Sequence, residues 1–223
     1  DAAMSQRVYL EYKLSTALGA GPTGQVWLLR AARRLLDAPE AECAKVPLSA
    51  EILISAAQCW LRGGEAETAL EAANRAGGLA RRHPMVGLVR GQAFLAMGDL
   101  QQAQRCFEVE TQGASGGFYF DEEGLAIALA VGRAEIFHRQ HDHDGALAAL
   151  DSAKARMPNS RQLTVARLHA LIKSGKAEQG LREGVQYMKN NPQDRNGLLV
   201  CAAAADALGM VDRAAKWRAM AMG

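Results

Sequence analysis

Residues 56–73 read AAQCWLRGGEAETALEAA, and residues 90–107 read RGQAFLAMGDLQQAQRCF. The two stretches align at a spacing of 34 residues. The residues that correspond are Trp60 with Phe94, Gly64 with Gly98, and Ala69 with Ala103. A period of this length is typical of stacked helix–turn–helix units, in which each unit buries its apolar face against its neighbours. The repeat therefore predicts a helical stack and not a single closed core.

The same spacing continues towards the end of the chain. Gly175 and Gly209 are 34 residues apart, and so are Pro158 and Pro192. Small residues let paired helices approach closely, large residues fill the space between them, and glycine ends a helix with positive φ. We therefore predict five helix pairs, over residues 50–83, 84–110, 127–160, 161–194 and 195–223.

Two segments lie outside the period. Residues 1–49 predict a helix from about Ser5 to Leu18, a glycine- and proline-containing loop, a helix from about Gln25 to Leu36, and a linker. We expect this segment to cap the first repeat, because a terminal repeat must shield its exposed face. An insertion near 111–123 separates the second pair from the third.

Composition limits the classes of function. The 223 residues include 26 Lys and Arg against 24 Asp and Glu, a net charge of +2, which does not favour nucleic acid or an anionic membrane as partner. Apolar runs are shorter than the roughly 20 residues of a membrane-spanning helix. The four cysteines form no CxxC pair, so we interpret them as reduced core residues. The compartment is not predicted; it is cytoplasmic, or periplasmic if a signal peptide was removed.

The pattern of small, aromatic, turn and proline positions resembles the tetratricopeptide repeat over residues 50–223. The resemblance implies an all-α, right-handed superhelix of antiparallel helix pairs. It also implies a non-enzymatic scaffold, adaptor or chaperone, with bacterial relatives in secretion, pilus and envelope-polysaccharide assembly. The later repeats depart from the pattern at Ala205, Gly180, Gly184 and Arg218.

In this family the concave inner surface is lined by the first helix of each pair, and a peptide or protein segment binds there. The positions that the resemblance assigns to this surface are Ile54, Gln58, Leu61, Arg62, Leu88, Gln92, Leu95, Ala96, Val131, Glu135, His138, Arg139, Val165, His169, Ile172, Lys173, Leu199, Ala203 and Asp206. Gln58 and Gln92 stand where chaperone-binding members carry clamp residues for a terminal carboxylate. A carboxylate clamp of that kind is therefore not expected.

Two side-chain clusters have alternative interpretations. Phe118, Tyr119 and Phe120 either cover the widened gap between repeats or form a partner-binding tip. His138, His141, Asp142, His143 and Asp144 crowd one turn. They form either a metal-binding or enzymatic site, or a solvated turn in which Asp144 caps the next helix.

Other motifs favour structural roles. Residues 19–24 match GxGxxG and residues 113–117 match GxSxG, but neither follows a predicted strand, so both are interpreted as loops. Residues 27–36 (WLLRAARRLL) either lie on a membrane surface or cap the stack. We predict no catalytic residue and no cofactor, and we retain a polysaccharide- or RNA-binding solenoid as an alternative.

The C-terminal helix predicts self-association. Trp217 and Met220 lie on neighbouring turns of one helix face between about Val211 and Met222. A repeat array normally ends in a helix with a polar outer face. We therefore expect either weak self-association through this helix, a longer natural chain, or inward packing of both side chains on the fourth repeat.

Overall fold

The computed structural model describes residues 2–80, 83–110 and 121–222. Over these ranges the chain forms thirteen α-helices and no strand. The all-α prediction is therefore confirmed. Ala, Leu, Arg, Glu and Gln, which have high helix propensity, dominate the sequence of these segments.

The helices follow one another with short connections. In chain order they are α1 (Ala2–Leu18), α2 (Pro22–Asp37), α3 (Glu40–Cys43), α4 (Ser49–Arg62), α5 (Ala66–Leu79), α6 (Pro84–Met97), α7 (Leu100–Arg105), α8 (Glu122–Arg139), α9 (His143–Arg156), α10 (Arg161–Lys173), α11 (Ala177–Asn190), α12 (Arg195–Ala207) and α13 (Val211–Met222). A π-helical turn over Cys106–Glu110 continues α7. The helices predicted at the N-terminus both begin about three residues earlier than expected, and α3 lies within the predicted linker.

The chain divides into two compact units, Asp1–Asp121 and Glu122–Gly223. In the first unit α1 packs on α2, α2 on α4, α4 on α5, α5 on α6, and α6 on α7. In the second unit each helix from α8 to α13 packs on the next. Each unit is thus a sequential stack of hairpins, as the repeat predicts. We call the first helix of a hairpin helix A and the second helix B.

The turn from helix A to helix B repeats one backbone conformation. The residues with positive φ at these turns are Gly19 (72°), Gly64 (83°), Gly98 (87°), Gly175 (76°), Gly209 (72°) and His141 (62°). Glycine adopts this left-handed conformation without the steric cost that a Cβ brings. His141 is therefore the exception, because it occupies a glycine position with a large side chain.

In the first unit, apolar side chains from α1 to α6 share one core. Its largest fully buried members include Val8, Leu35, Ile52, Leu53 and Trp60. Arg75 of α5 donates hydrogen bonds to the carbonyl oxygens of Leu36 (3.1 Å) and Ala38 (2.8 Å). These bonds satisfy carbonyls that the end of α2 leaves without helical partners. The N-terminal hairpin is thereby joined to the repeats that follow it.

In the second unit, the core lies between α8, α9, α10 and α12. Its fully buried members include Leu150, Leu163, Leu168, Leu171 and Val200. Gly184 of α11 permits close packing on α12, since an added Cβ would lie 2.8 Å from Sγ of Cys201. Arg167 of α10 forms ion pairs with Asp151 of α9 and Glu183 of α11. Gly184 lowers the helix propensity of α11, but it permits the close contact between α11 and α12.

Candidate partner-binding surface

In the first unit, neighbouring A helices α4 and α6 lie in contact and present a mixed surface. Arg62 is exposed, whereas Gln58, Leu61, Gln92 and Leu95 are half-buried. These five side chains remain accessible on their helices. They combine amide groups, one cation and apolar area, which is the chemistry needed to bind a peptide backbone and its side chains.

Two other positions assigned to this surface contribute to the interior instead. Leu88 is 2% exposed and Ile54 is 5% exposed. Side chains that are this buried contribute to packing and offer no area to a partner. Ala96, by contrast, is exposed near the end of α6.

In the second unit, a network of charges joins α8 to α10. Glu135 accepts a hydrogen bond from Nζ of Lys173 at 2.9 Å and one from Nε of Arg139 at 3.3 Å. Burial opposes ionisation of Glu135. The hydrogen bonds and charges of Lys173 and Arg139 outweigh burial and hold the pKa of this carboxyl below its ordinary value. Glu135 thus forms ion pairs with two cations, one on its own helix and one on α10.

Apolar and titratable side chains flank this network. Val131 of α8 is 37% exposed and Leu199 of α12 is 38% exposed. His169 of α10 is exposed, and desolvation together with the charge of Lys173 lowers its pKa. The remaining assigned positions are Val165, Ile172 and Ala203, which are half-buried, and Asp206, which is ion-paired with Arg218 of α13.

The histidine-containing turn between α8 and α9 differs from the prediction in two respects. Asp142, and not Asp144, caps α9, and its Oδ1 accepts the amide hydrogen of Gly145 at 2.8 Å. The prediction for Asp144 was wrong because α9 begins at His143, two residues earlier than a helix capped by Asp144 would. Asp144 pairs with Lys176 at 3.0 Å. His138 is 9% exposed and so lies beneath the surface to which the repeat pattern assigned it.

Within the same turn, two histidine rings are in direct contact. Nδ1 of His138 lies 3.0 Å from Nδ1 of His143, and the ring centroids are 5.3 Å apart. The rings of His141 and His143 are 6.4 Å apart. In the part of the chain that the structure describes, no group of three or more His, Cys, Asp or Glu residues is placed to hold a metal ion.

Two N-terminal motifs have helical surroundings. Residues 19–24 connect α1 to α2, so this GxGxxG lacks the strand that a dinucleotide-binding loop requires. Leu28, Ala31, Ala32 and Leu35 of α2 belong to the core, so the apolar face of residues 27–36 packs inside the first unit. Among the described helices, none has the length and apolar content to cross a bilayer.

The aromatic cluster Phe118, Tyr119 and Phe120 and the GxSxG stretch 113–117 lie outside the described residues. The structure also reveals a groove that the repeat pattern did not predict. It has a volume of about 920 Å³ and runs between α11 and the start of α13, with Leu181, Val185, Leu208 and Met210 among its lining residues. The sequence gives little indication of this groove, because the repeat pattern predicts which helices pair but not where gaps remain between them.

Comparisons with known proteins show which solved structures share this architecture. The sequence matches no protein-family model and no curated protein. Among solved structures, a tetratricopeptide repeat protein from Parabacteroides merdae superposes with a TM-score of 0.61 at 15% identity, covering 92% of this chain and 86% of that chain. The thermophilic tetratricopeptide repeat protein TTC0263 from Thermus thermophilus gives 0.64 at 19% identity, covering 92% of this chain and 98% of that chain.

A third structure, PilF of Pseudomonas aeruginosa, superposes with a TM-score of 0.56 at 11% identity. It covers 82% of this chain and 77% of that chain. The fold is therefore an all-α stack of helix hairpins. It is the tetratricopeptide repeat fold, and the resemblance seen in the sequence is confirmed at the level of the fold.

Proposed function

We propose that this protein is a non-enzymatic scaffold or adaptor that holds a peptide or protein segment on its A-helix surfaces. The fold supports the proposal, because stacked repeats expose a row of neighbouring helices to a partner. The observation that carries it is the charge network of Glu135, Arg139 and Lys173 with exposed apolar side chains beside it. The proposed setting is a macromolecular assembly, such as a bacterial secretion, pilus or envelope-polysaccharide system.

The chemistry of the second unit defines the preferred ligand. Arg139 and Lys173 carry partly exposed cationic groups that both contact Glu135, and a carboxylate from a ligand can bind at the same place. Val131 and Leu199 offer apolar area on the flanking helices. The ligand that fits is therefore an acidic segment that carries apolar side chains.

Charge reversal tests this proposal. Peptides selected from a random display library against the whole protein are expected to be rich in Asp and Glu with interspersed apolar residues. Arg139→Glu combined with Lys173→Glu should weaken their binding by about tenfold or more, because reversal removes attraction and adds repulsion. Arg156→Glu combined with Lys216→Glu makes the same change in charge at exposed positions of helices B and is the matched control.

Isothermal titration calorimetry measures the affinities, and circular dichroism verifies that each variant is folded. Equal affinity for the parent protein and a folded Arg139→Glu, Lys173→Glu variant would refute the acidic-segment proposal. Selection of uncharged peptides would refute it as well. Tight, salt-sensitive binding of RNA would support the alternative nucleic-acid function.

A further inference from the structure

The turn between α8 and α9 brings two imidazole rings together at one point. His138 lies in the last turn of α8 and is 9% exposed, whereas His143 is the first residue of α9 and is half-buried. Their Nδ1 atoms are 3.0 Å apart. One ring therefore donates its N–H to the other, so a single proton lies between the two nitrogen atoms. Without that proton, each nitrogen atom can bind a metal ion.

The distance between the two nitrogen atoms fits one coordination geometry of a shared metal ion. With metal–nitrogen bonds of about 2.0–2.1 Å, a separation of 3.0 Å corresponds to an N–metal–N angle of about 94°. This is the angle between neighbouring positions in a square plane, the geometry that Cu²⁺ and Ni²⁺ adopt with nitrogen ligands.

We propose that His138 and His143 chelate a square-planar divalent ion, Cu²⁺ or Ni²⁺, through their Nδ1 atoms. The ion takes the place of the shared proton, which is released to solvent. Because no third protein ligand lies at coordination distance among the described residues, solvent completes the plane. The proposed site is separate from the peptide-binding proposal, since its ligands are His138 and His143 and not the charged groups of Glu135, Arg139 and Lys173.

Carboxylates accompany the cations around the turn. Glu135 pairs with Arg139 and Lys173, and Asp144 pairs with Lys176. Neutral imidazole is the form that binds metal ions.

The backbone of the turn provides a separate indication. His141 occupies the left-handed position that glycine fills in the turns at Gly64, Gly98, Gly175 and Gly209. A side chain at this position carries a steric cost, and residues kept at such a cost cluster at functional sites. His141 is exposed, with its ring 6.4 Å from that of His143, so it lies beside the open face of the proposed site.

The test uses the whole protein without a histidine tag, stripped of metal, and titrated with CuCl₂ at neutral pH against glycine as competitor. We expect one Cu²⁺ per chain with a dissociation constant below about 1 μM. We also expect an electron paramagnetic resonance spectrum with superhyperfine splitting from two nitrogen atoms. His143→Gln should weaken binding by more than about tenfold, because one of two ligands is lost.

His169→Gln is the matched control, since His169 is an exposed histidine of the same unit on α10. It should leave the affinity unchanged. Circular dichroism verifies the fold of both variants. Absence of saturable binding would overturn the proposal, and so would a folded His143→Gln variant with the parent affinity. A loss of affinity in His169→Gln equal to that in His143→Gln would also overturn it.

Discussion

At the scale of single residues, Gly91 shows how closely the hairpins are packed. Gly91 lies on α6 and is buried against the ring of Phe107, which is itself fully buried in the π-helical turn after α7. A Cβ added at Gly91 would lie 2.5 Å from Cδ1 of Phe107 and closer still to Cε1. Phe107 is 0% exposed, so moving its ring away would disturb the packing around it.

Gly91→Ala should therefore destabilise the protein. We expect the free energy of unfolding to fall by about 1–3 kcal/mol, the usual cost of forcing an extra methyl group into a filled core. Urea denaturation followed by circular dichroism measures it. Gly21→Ala is the matched control, because nothing lies within 4 Å of its added Cβ and its φ of −69° suits alanine. A Gly91→Ala variant as stable as Gly21→Ala would contradict the packing argument.

At the scale of helices, the N-terminal cap of α6 depends on pH, because its capping residue is His83. His83 is 8% exposed, and its Nδ1 accepts the amide hydrogen of Met85 at 3.2 Å, capping the helix. Burial lowers the pKa of His83, and the charge of Glu51 opposes this effect without outweighing it. The folded protein therefore binds protons at this site less readily than the unfolded chain does.

The sign of the pH effect follows from this difference in pKa. The contribution of neutral His83 to the free energy of unfolding is complete above the pKa of histidine in the unfolded chain, about 6.5. This contribution is lost as the pH falls below that value. His83→Asn keeps a capping oxygen but does not titrate. The parent protein should therefore lose more unfolding free energy between pH 7 and pH 5 than His83→Asn does, as measured by urea denaturation at each pH. Parallel pH profiles for the two proteins would show that His83 does not contribute.

The 34-residue period predicted the helix pairs and their turn positions, because glycine spacing and small residues encode local geometry directly. The period did not predict that Leu88 and His138 are buried. The position of a residue in the repeat indicates on which side of the helix its side chain lies, but not how much of that side chain a neighbouring helix buries. The contact between His138 and His143 depends on the left-handed backbone at His141, which turns α9 back onto α8. A non-glycine residue gives no clear sequence signal for that conformation.

At the scale of the whole molecule, two units carry separate hydrophobic cores. A destabilising change in one core is therefore expected to act first on its own unit, because contacts in a helix stack are between neighbours. The charge network and the histidine pair both belong to the second unit. Each can be altered without touching the core around Trp60.

The exposed side chains of α13 lead to a prediction of self-association. Trp217 is half-buried and packs with Ala202, Ala205 and Ala214, which belong to α12 and α13 and not to the fourth repeat. Met220 and Met222, in contrast, are 52% and 78% exposed. Two large apolar side chains at one helix end gain free energy when they are buried against another surface, at about 25 cal/mol per Å² of apolar area.

We therefore expect the weight-average mass in sedimentation velocity to rise between about 1 μM and 1 mM protein. Met220→Glu combined with Met222→Glu should abolish the rise, because burying the new carboxylates would cost more than the lost apolar area contributes. Met97→Glu, a change at a 40% exposed methionine on α6, is the control and should leave the association intact. A monomer at every concentration would contradict the prediction. Association that persists in the double variant would place the contact on another surface.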